Sequence, residues 1–478
     1  MEGNKSYRFL MNTVTFSGRV KDSKASWMFL SVSCFVILMT IGTLDSFTVL
    51  VIVFMDHYEA SKAKIGWLGS IAFSLVSISY PVVVFLGRRF GSQGVLIISG
   101  ILITTSYIVT PFMPSVNYLY FTYCFGVGFA ASCVDCLSVV ILPEFFDKHL
   151  GLATGIRLSS IAAASILFNF MVPIFVVEIG WQKLFYCFSS VGLLLIMYSF
   201  LFRIKHPVHD VPSNEVEEKE TYSVCGEKLT IKERILHDRG FQLIVFGCVP
   251  YLFAILVPAM FMVAYAKSLG YPLSQSKWLI VARGIGSLAG RLAMGYIGDF
   301  ATKRRIIVHI ACAIVAIFGL ACGLCSFTKY LPLMILFMAF TGILEGMFFV
   351  LIPLMSNELT GGVNADYGFS FITFLVGIGF LTGPSLMGKS QVYDATGNFR
   401  DVLYILCACG VLSAITVAMG IHVRARKTIE RKTSFAEKGT IEMSKEKNFD
   451  HLSLSMDKQP TKTAILDDMR IANECETT

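Results

Sequence analysis

Charge is what this sequence has least of. Asp, Glu, Lys and Arg make up 15% of its 478 residues, and 55% of the residues are hydrophobic; a soluble domain carries about 25% charge. Mean hydropathy is +0.66. A surface that must accommodate 40 Phe with so few charges does not stay in water, so a soluble enzyme and a disordered scaffold are poor fits. No G-x-x-x-x-G-K-[ST] loop occurs, so the chain brings no ATP motor of its own. GIGSLAG, with Gly284, Gly286 and Gly290, misses the G-x-G-x-x-G spacing and reads instead as small residues that let membrane helices approach. The spans hold no nucleophile–base pair and no metal-ligand set. Cys133–Cys136 and Cys322–Cys325 have redox-like or zinc-like spacing, but they sit in apolar runs without further ligands nearby and read as packing residues. No enzyme activity, metal or cofactor is expected. Basic Lys5, Arg8, Arg19, Lys21 and Lys24 precede the first apolar run, with no short apolar stretch ending in a cleavage site. A cleaved signal peptide is therefore not expected, and the N-terminus is placed in the cytoplasm.

What is present is a series of long apolar runs. A bilayer core needs roughly 20 apolar residues per helix. Runs of that kind fall at about 27–55, 65–86, 94–113, 117–141, 151–177, 182–203, 241–264, 278–298, 305–327, 331–354, 367–388 and 401–423. The fold class expected is an all-α membrane protein of twelve transmembrane helices in two six-helix bundles. Its parts are a cytoplasmic tail (1–26), an N-terminal bundle (27–203), a polar cytoplasmic linker (204–240), a C-terminal bundle (241–423) and a disordered tail (424–478). The linker holds Glu215, Glu217, Glu218, Lys219 and Glu220. Short connections on one side carry Arg88, Arg89, Lys148, Lys303, Arg304 and Arg305, and Arg424, Arg426 and Lys427 follow the last span. The bias places both termini inside and leaves no reason to read the net charge of +7 as a nucleic-acid surface. The loop around 355–366 has no Lys or Arg and departs from the rule. Trp67 and Gly87 flank the second span as Trp278 and Gly298 flank the eighth, both offset by 211 residues, as a parallel duplication would leave.

Six ionisable residues lie inside these runs, where each costs about 2.5–3.5 kcal/mol on insertion scales and marks a functional position by default. They are Asp45, Asp135, Arg157, Arg283, Arg291 and Glu345. Three acids balance three bases, and all fall on spans that line or flank the centre of a six-plus-six carrier. Arg291 is the leading substrate-binding residue, because a guanidinium keeps its proton and grips a carboxylate with two parallel bonds; a structural pairing with Glu345 or Asp45 is the alternative. Asp45 and Glu345 are read as substrate-binding neighbours that either accept a proton or pair with arginine. Asp135 and Arg157 are read as one ion pair with a gating or coupling role. Arg283, two turns towards the outer surface, is expected to snorkel.

The residues before span 5, FFDKHLGLATGIRLSS, resemble the cytoplasmic signature of the monocarboxylate transporter family within the major facilitator superfamily, Y-F-x-K-R-R-x-L-A-x-G-x-A-x-A-G. Phe146, Lys148, Leu152, Ala153 and Gly155 match it; Phe145 replaces Tyr and His149 replaces the first Arg. Gly180-Trp181, the run at Gly383, Pro384 and Gly388, and Asp394-Ala-Thr-Gly397 are also similar, and the resemblance spans about 27–423. It implies proton-coupled carriage of small monocarboxylates by alternating access at the plasma membrane, with Lys148 and His149 in the inner gate. A single-span glycoprotein that escorts the carrier is a further partner some family members imply. The departures are specific. The Gly-Gly-Trp-Gly-Trp run entering span 1 is reduced to Trp27, and the family's span 1 lysine falls on Asp45. Its span 8 acid and arginine fall on Ser287 and Arg291. Loss of the lysine leaves uniport open beside proton symport. Glu345-Gly346 resembles members that carry aromatic amino acids or thyroid hormones, so an amphipathic acid of that kind is the second cargo reading; a transport-inactive sensor with the same fold is a third.

Overall fold

A computed structural model describes residues 21–59, 62–202, 238–255, 257–360, 365–387 and 401–426. The described residues are helical throughout, with helices on each of the twelve apolar runs. Eight helices are long and apolar enough to cross a bilayer on those criteria alone, and a bent pair, Trp67–Ile78 with Tyr80–Phe90, makes a ninth. Three runs miss the criterion, among them Trp181–Ser199, whose first turn holds Gln182 and Lys183. Leu273–Arg304 carries Lys277, Arg283, Arg291 and Asp299, and Arg239–Gly247, Val249–Ala254 and Val257–Ser268 form a segmented span with Pro250 and Pro258 at its breaks. The linker acids, most of both tails, and the motif residues Gly388 and Asp394–Gly397 lie outside the described residues. One compact unit runs to Ile421 and a second takes in the residues from His422. All candidate site residues lie in the first.

The helices that matter most below are α1 (Lys24–Asp45), α2 (Phe47–Tyr58), α3 (Lys62–Ile78), α4 (Tyr80–Phe90), α5 (Ser92–Val109), α6 (Gly128–Val140), α7 (Leu150–Ile179), α8 (Trp181–Ser199), α9 (Arg239–Gly247), α10 (Val249–Ala254), α11 (Val257–Ser268), α12 (Leu273–Arg304), α13 (Ile307–Cys325), α14 (Leu331–Thr360) and α15 (Ala365–Met387). Their outer faces expose large apolar side chains such as Phe170 at 74% and Val177 at 83%, which only lipid tolerates. Ser23 caps α1 by accepting from the Ser26 N–H at 3.4 Å. Gly180, at φ 83° and ψ 152°, takes a positive-φ conformation open to glycine, and the chain turns there from α7 into α8.

Small residues set the closest helix pairing. Gly286 and Gly290 on α12 lie against the Ala339 and Ile343 backbone of α14, and Gly342 and Gly346 on α14 against the Arg283, Ser287 and Arg291 backbone of α12; each glycine pair is four residues apart, so the backbones meet along one stripe. On its other side α12 meets α7. A Cβ on Gly155 would sit 2.7 Å from the Gly295 Cα and from the Arg291 carbonyl oxygen. Of the stretch read from sequence as a close-packing surface, Gly286 and Gly290 are used as one and Gly284, with nothing within 4 Å of a Cβ, is not; α12 packs between α7 and α14.

Candidate functional site

A cavity of about 600 Å³ opens among α1, α2, α3, α4, α6, α7, α12, α14 and α15. Its walls are mainly apolar, with rings from Phe47, Phe73, Phe349, Phe369 and Phe380. Five of the seven site residues expected from sequence line it: Asp45, Asp135, Arg157, Arg291 and Glu345. Lys148 and His149 do not. They sit in the short connection ahead of α7, where the Asp22 carboxylate accepts from the backbone N–H of Asp147, Lys148 and His149 at 3.3, 3.0 and 3.3 Å. Burial acts to raise Asp22, but these three donors outweigh it and hold its carboxyl below the usual range. Trp27 closes over the same connection, edge-on to Phe146 and tilted against His149.

The pairing of the buried charges differs from the simplest expectation. Glu345 pairs with Arg283 at 2.5 Å. Arg283 is buried and also donates to the Ile255 carbonyl at 3.0 Å, so it does not snorkel; the partner on α14 keeps it inside. Asp135 and Arg157 form the expected ion pair. Asp45 accepts from the Ser165 hydroxyl of α7. Arg291 is held differently from the other two arginines. Its Nη1 donates to the Leu158 carbonyl at 2.7 Å, its guanidinium lies 5.8 Å from the Phe349 ring centroid, and its Nε has no hydrogen-bond partner among the described residues. Nη1 of Arg157 and Nη1 of Arg283 are likewise without a partner among the described residues, so what sets Arg291 apart is a place on the cavity wall with no carboxylate in ion-pair distance among them. A buried guanidinium so placed is an anion site by its chemistry.

The helices around the cavity are joined at one end by two polar contacts. Arg88 at the end of α4 makes a bidentate bond to Asp366 in the first turn of α15, at 2.8 and 2.7 Å, and stacks over Tyr367 at 4.0 Å. Asp299 near the end of α12 accepts from the Gly151 and Leu152 N–H at the start of α7, at 2.5 and 3.2 Å. A carboxylate at a helix N-terminus satisfies free donors and the helix dipole together. Sequence reasoning passed over Asp299 and Asp366 because both stand at span ends. It passed over Ser165 and Tyr80 because neither carries a charge.

Two matches to the family model of the Major Facilitator Superfamily cover residues 28–259 and 242–463. The chain belongs to the Major Facilitator Superfamily. Monocarboxylate transporter 12 of Xenopus laevis is 22% identical over 402 residues, covering 79% of this chain and 85% of its own length. Its Homo sapiens counterpart is 22% identical over 449 residues, with 85% and 83% covered. Monocarboxylate transporter 2 of Rattus norvegicus is 24% identical over 414 residues, with 82% of each covered. Among solved structures, the transporter FucP in the outward conformation is similar with TM-score 0.62 at 14% identity, covering 82% of this chain and 98% of that one. At that identity the likeness concerns the fold alone. The protein is a multi-pass membrane transporter of this superfamily, and its curated relatives are the monocarboxylate transporters.

Proposed function

We propose that this superfamily member is a plasma-membrane secondary transporter for an organic monocarboxylate, with both termini in the cytoplasm. The cargo's carboxylate binds Arg291 near the midplane and its body packs against the phenylalanines of the cavity. The observation that carries this reading is Arg291 itself: buried on the cavity wall, bonded to one backbone carbonyl, and in ion-pair contact with no carboxylate among the described residues, unlike Arg157 and Arg283. An anion offsets the cost of the buried cation only while bound, so occupancy is linked to the energy of the carrier. Alternating access is supported by the two contacts at the basic end of the bundle. Arg88–Asp366 and Asp299 with Gly151 and Leu152 are polar, lie at helix ends, and break without disturbing an apolar core. Lys148 and His149 adjoin the second of them and would belong to the same gate.

The cavity's size bears on the cargo. About 600 Å³ with five phenylalanine rings suits an aryl or otherwise bulky acid better than a three-carbon one. A second reading, a zwitterionic aromatic amino acid, is favoured by Asp45, which places a carboxylate on the same wall system as Arg291. Uptake of labelled phenylpyruvate, L-phenylalanine and L-lactate into liposomes holding the purified protein separates these. Saturable phenylpyruvate uptake well above that of lactate is expected. L-phenylalanine taken up in preference establishes the second reading, and no uptake of the three above protein-free liposomes contradicts both.

A further inference from the structure

Arg283 stands behind the cavity wall. Glu345 lines the cavity, whereas the guanidinium that pairs with it at 2.5 Å belongs to a residue outside the lining. The same Arg283 Nη2 donates to the Ile255 carbonyl at the end of α10, and the whole residue is buried. Arg283, Ser287 and Arg291 recur every fourth residue on the face of α12 whose backbone Gly342 and Gly346 of α14 abut. That register sets Glu345 against Arg283. Tyr251 of α10 stands beside the pair, its ring against Phe318 and Phe348 at 5.1 and 4.6 Å and its hydroxyl without a partner among the described residues. Of the carboxylates that act on Arg291, Glu345 acts most strongly, yet the Arg291 guanidinium turns away to the Leu158 carbonyl of α7. Without Arg283, Glu345 has no cation in contact with it among the described residues.

We propose that Arg283 sets cargo selectivity. By neutralising Glu345 it keeps the cavity from accepting an ammonium group beside the carboxylate on Arg291, and so favours a keto acid over the matching amino acid. It acts through Glu345 and is a positioning residue, and the proposal rests on the carboxylate site argued above. A carboxylate backed by a guanidinium faces the cavity as a dipole, whose field falls off faster than that of a single charge. An ammonium entering the cavity gains little from such a pair and loses its water. With the guanidinium gone, the same carboxylate is a buried charge without compensation, and an ammonium on the cargo supplies it. A cargo held by its carboxylate carries its α-substituent on the next carbon. Glu345, the acid that acts most strongly on Arg291, is the one that substituent meets first.

The test uses full-length protein in liposomes and a mixture of differently labelled phenylpyruvate and L-phenylalanine. The two share a ring and a carboxylate and differ only at the α-carbon. The wild type takes up phenylpyruvate in preference. In Arg283→Gln the ratio of phenylpyruvate to L-phenylalanine uptake falls by about tenfold or more, the size expected when a charged hydrogen bond is gained. Arg283→Lys keeps the cation and most of the wild-type ratio. Glu345→Gln leaves Arg283 uncompensated behind the wall, and the ratio moves the other way, above the wild type. The double variant Arg283→Gln/Glu345→Gln returns to phenylpyruvate preference. A merely structural role for Arg283 lowers both uptakes together and leaves the ratio level. An unmoved ratio in Arg283→Gln, or a double variant that keeps the ratio of Arg283→Gln, overturns the proposal. Should Arg283→Gln give no folded carrier, a Glu345→Gln ratio at or below the wild type overturns it. A wild type that prefers L-phenylalanine overturns it while leaving the Arg291 site in place. One that takes up neither compound sinks the carboxylate reading, and this proposal with it.

Discussion

Arg291→Ala loses saturable carboxylate uptake, by roughly 100-fold or more, while the protein stays folded and reaches the membrane. The size follows from the cost of leaving an anion without its buried partner, about 3–5 kcal/mol. The preserved fold follows from what Arg291 does in the empty carrier. It makes one bond to the Leu158 carbonyl and leaves Nε without a partner among the described residues, so it contributes little to holding α7 and α12 together. Removing a desolvated, under-satisfied cation relieves a penalty, and thermal stability is expected to stay level or rise. Arg291→Lys keeps the charge, loses the planar fork, and retains only a small part of the uptake. Uptake and melting temperature measured on one preparation separate this account from a structural role, in which both fall together.

Gly346→Val has the opposite signature: it removes the folded carrier. A Cβ at Gly346 would sit 2.9 Å from the Arg291 backbone nitrogen and 3.0 Å from the Ser287 carbonyl carbon, and one at Gly342 would sit 3.0 Å from the Arg283 carbonyl carbon. Those neighbours are helix backbone and do not rotate away. Overpacking in a core costs about 1–3 kcal/mol when side chains adjust, and here α12 must move as a body, taking Arg283, Arg291 and the α7 contact with it. No monodisperse peak on size exclusion is the expected outcome. Gly284 is the internal control. It lies two residues before Gly286 with nothing within 4 Å of its Cβ position, so Gly284→Ala is expected to be neutral or stabilising by up to about 1 kcal/mol.

The span pattern was legible because hydrophobic length is a one-dimensional property, and every run from 27–55 to 401–423 carries helix. The breaks were harder. α1 and α2 part at Ser46 and α3 and α4 at Ser79, where apolar composition continues unbroken. The buried charges were legible as residues and only partly as partners. Asp135 with Arg157 was read correctly, since the two stand on consecutive spans. Glu345 goes to Arg283 because the glycine stripe sets the register: Gly342 abuts the Arg283 backbone one turn before Glu345. The Arg291 guanidinium reaches away from that stripe to Leu158 on α7. No spacing within a single span encodes that choice.

The central claim is that the cavity holds an organic carboxylate on Arg291, and bound 4-bromophenylpyruvate tests it most directly. In a structure of the complex, the anomalous signal of bromine is expected among Phe349, Phe369 and Phe380, with the carboxylate within hydrogen-bonding distance of the Arg291 guanidinium. Bromine located only outside the cavity, for instance in the outer pocket of His57, Tyr58 and Lys64, with Arg291 still bonded to Leu158 alone, would contradict the account.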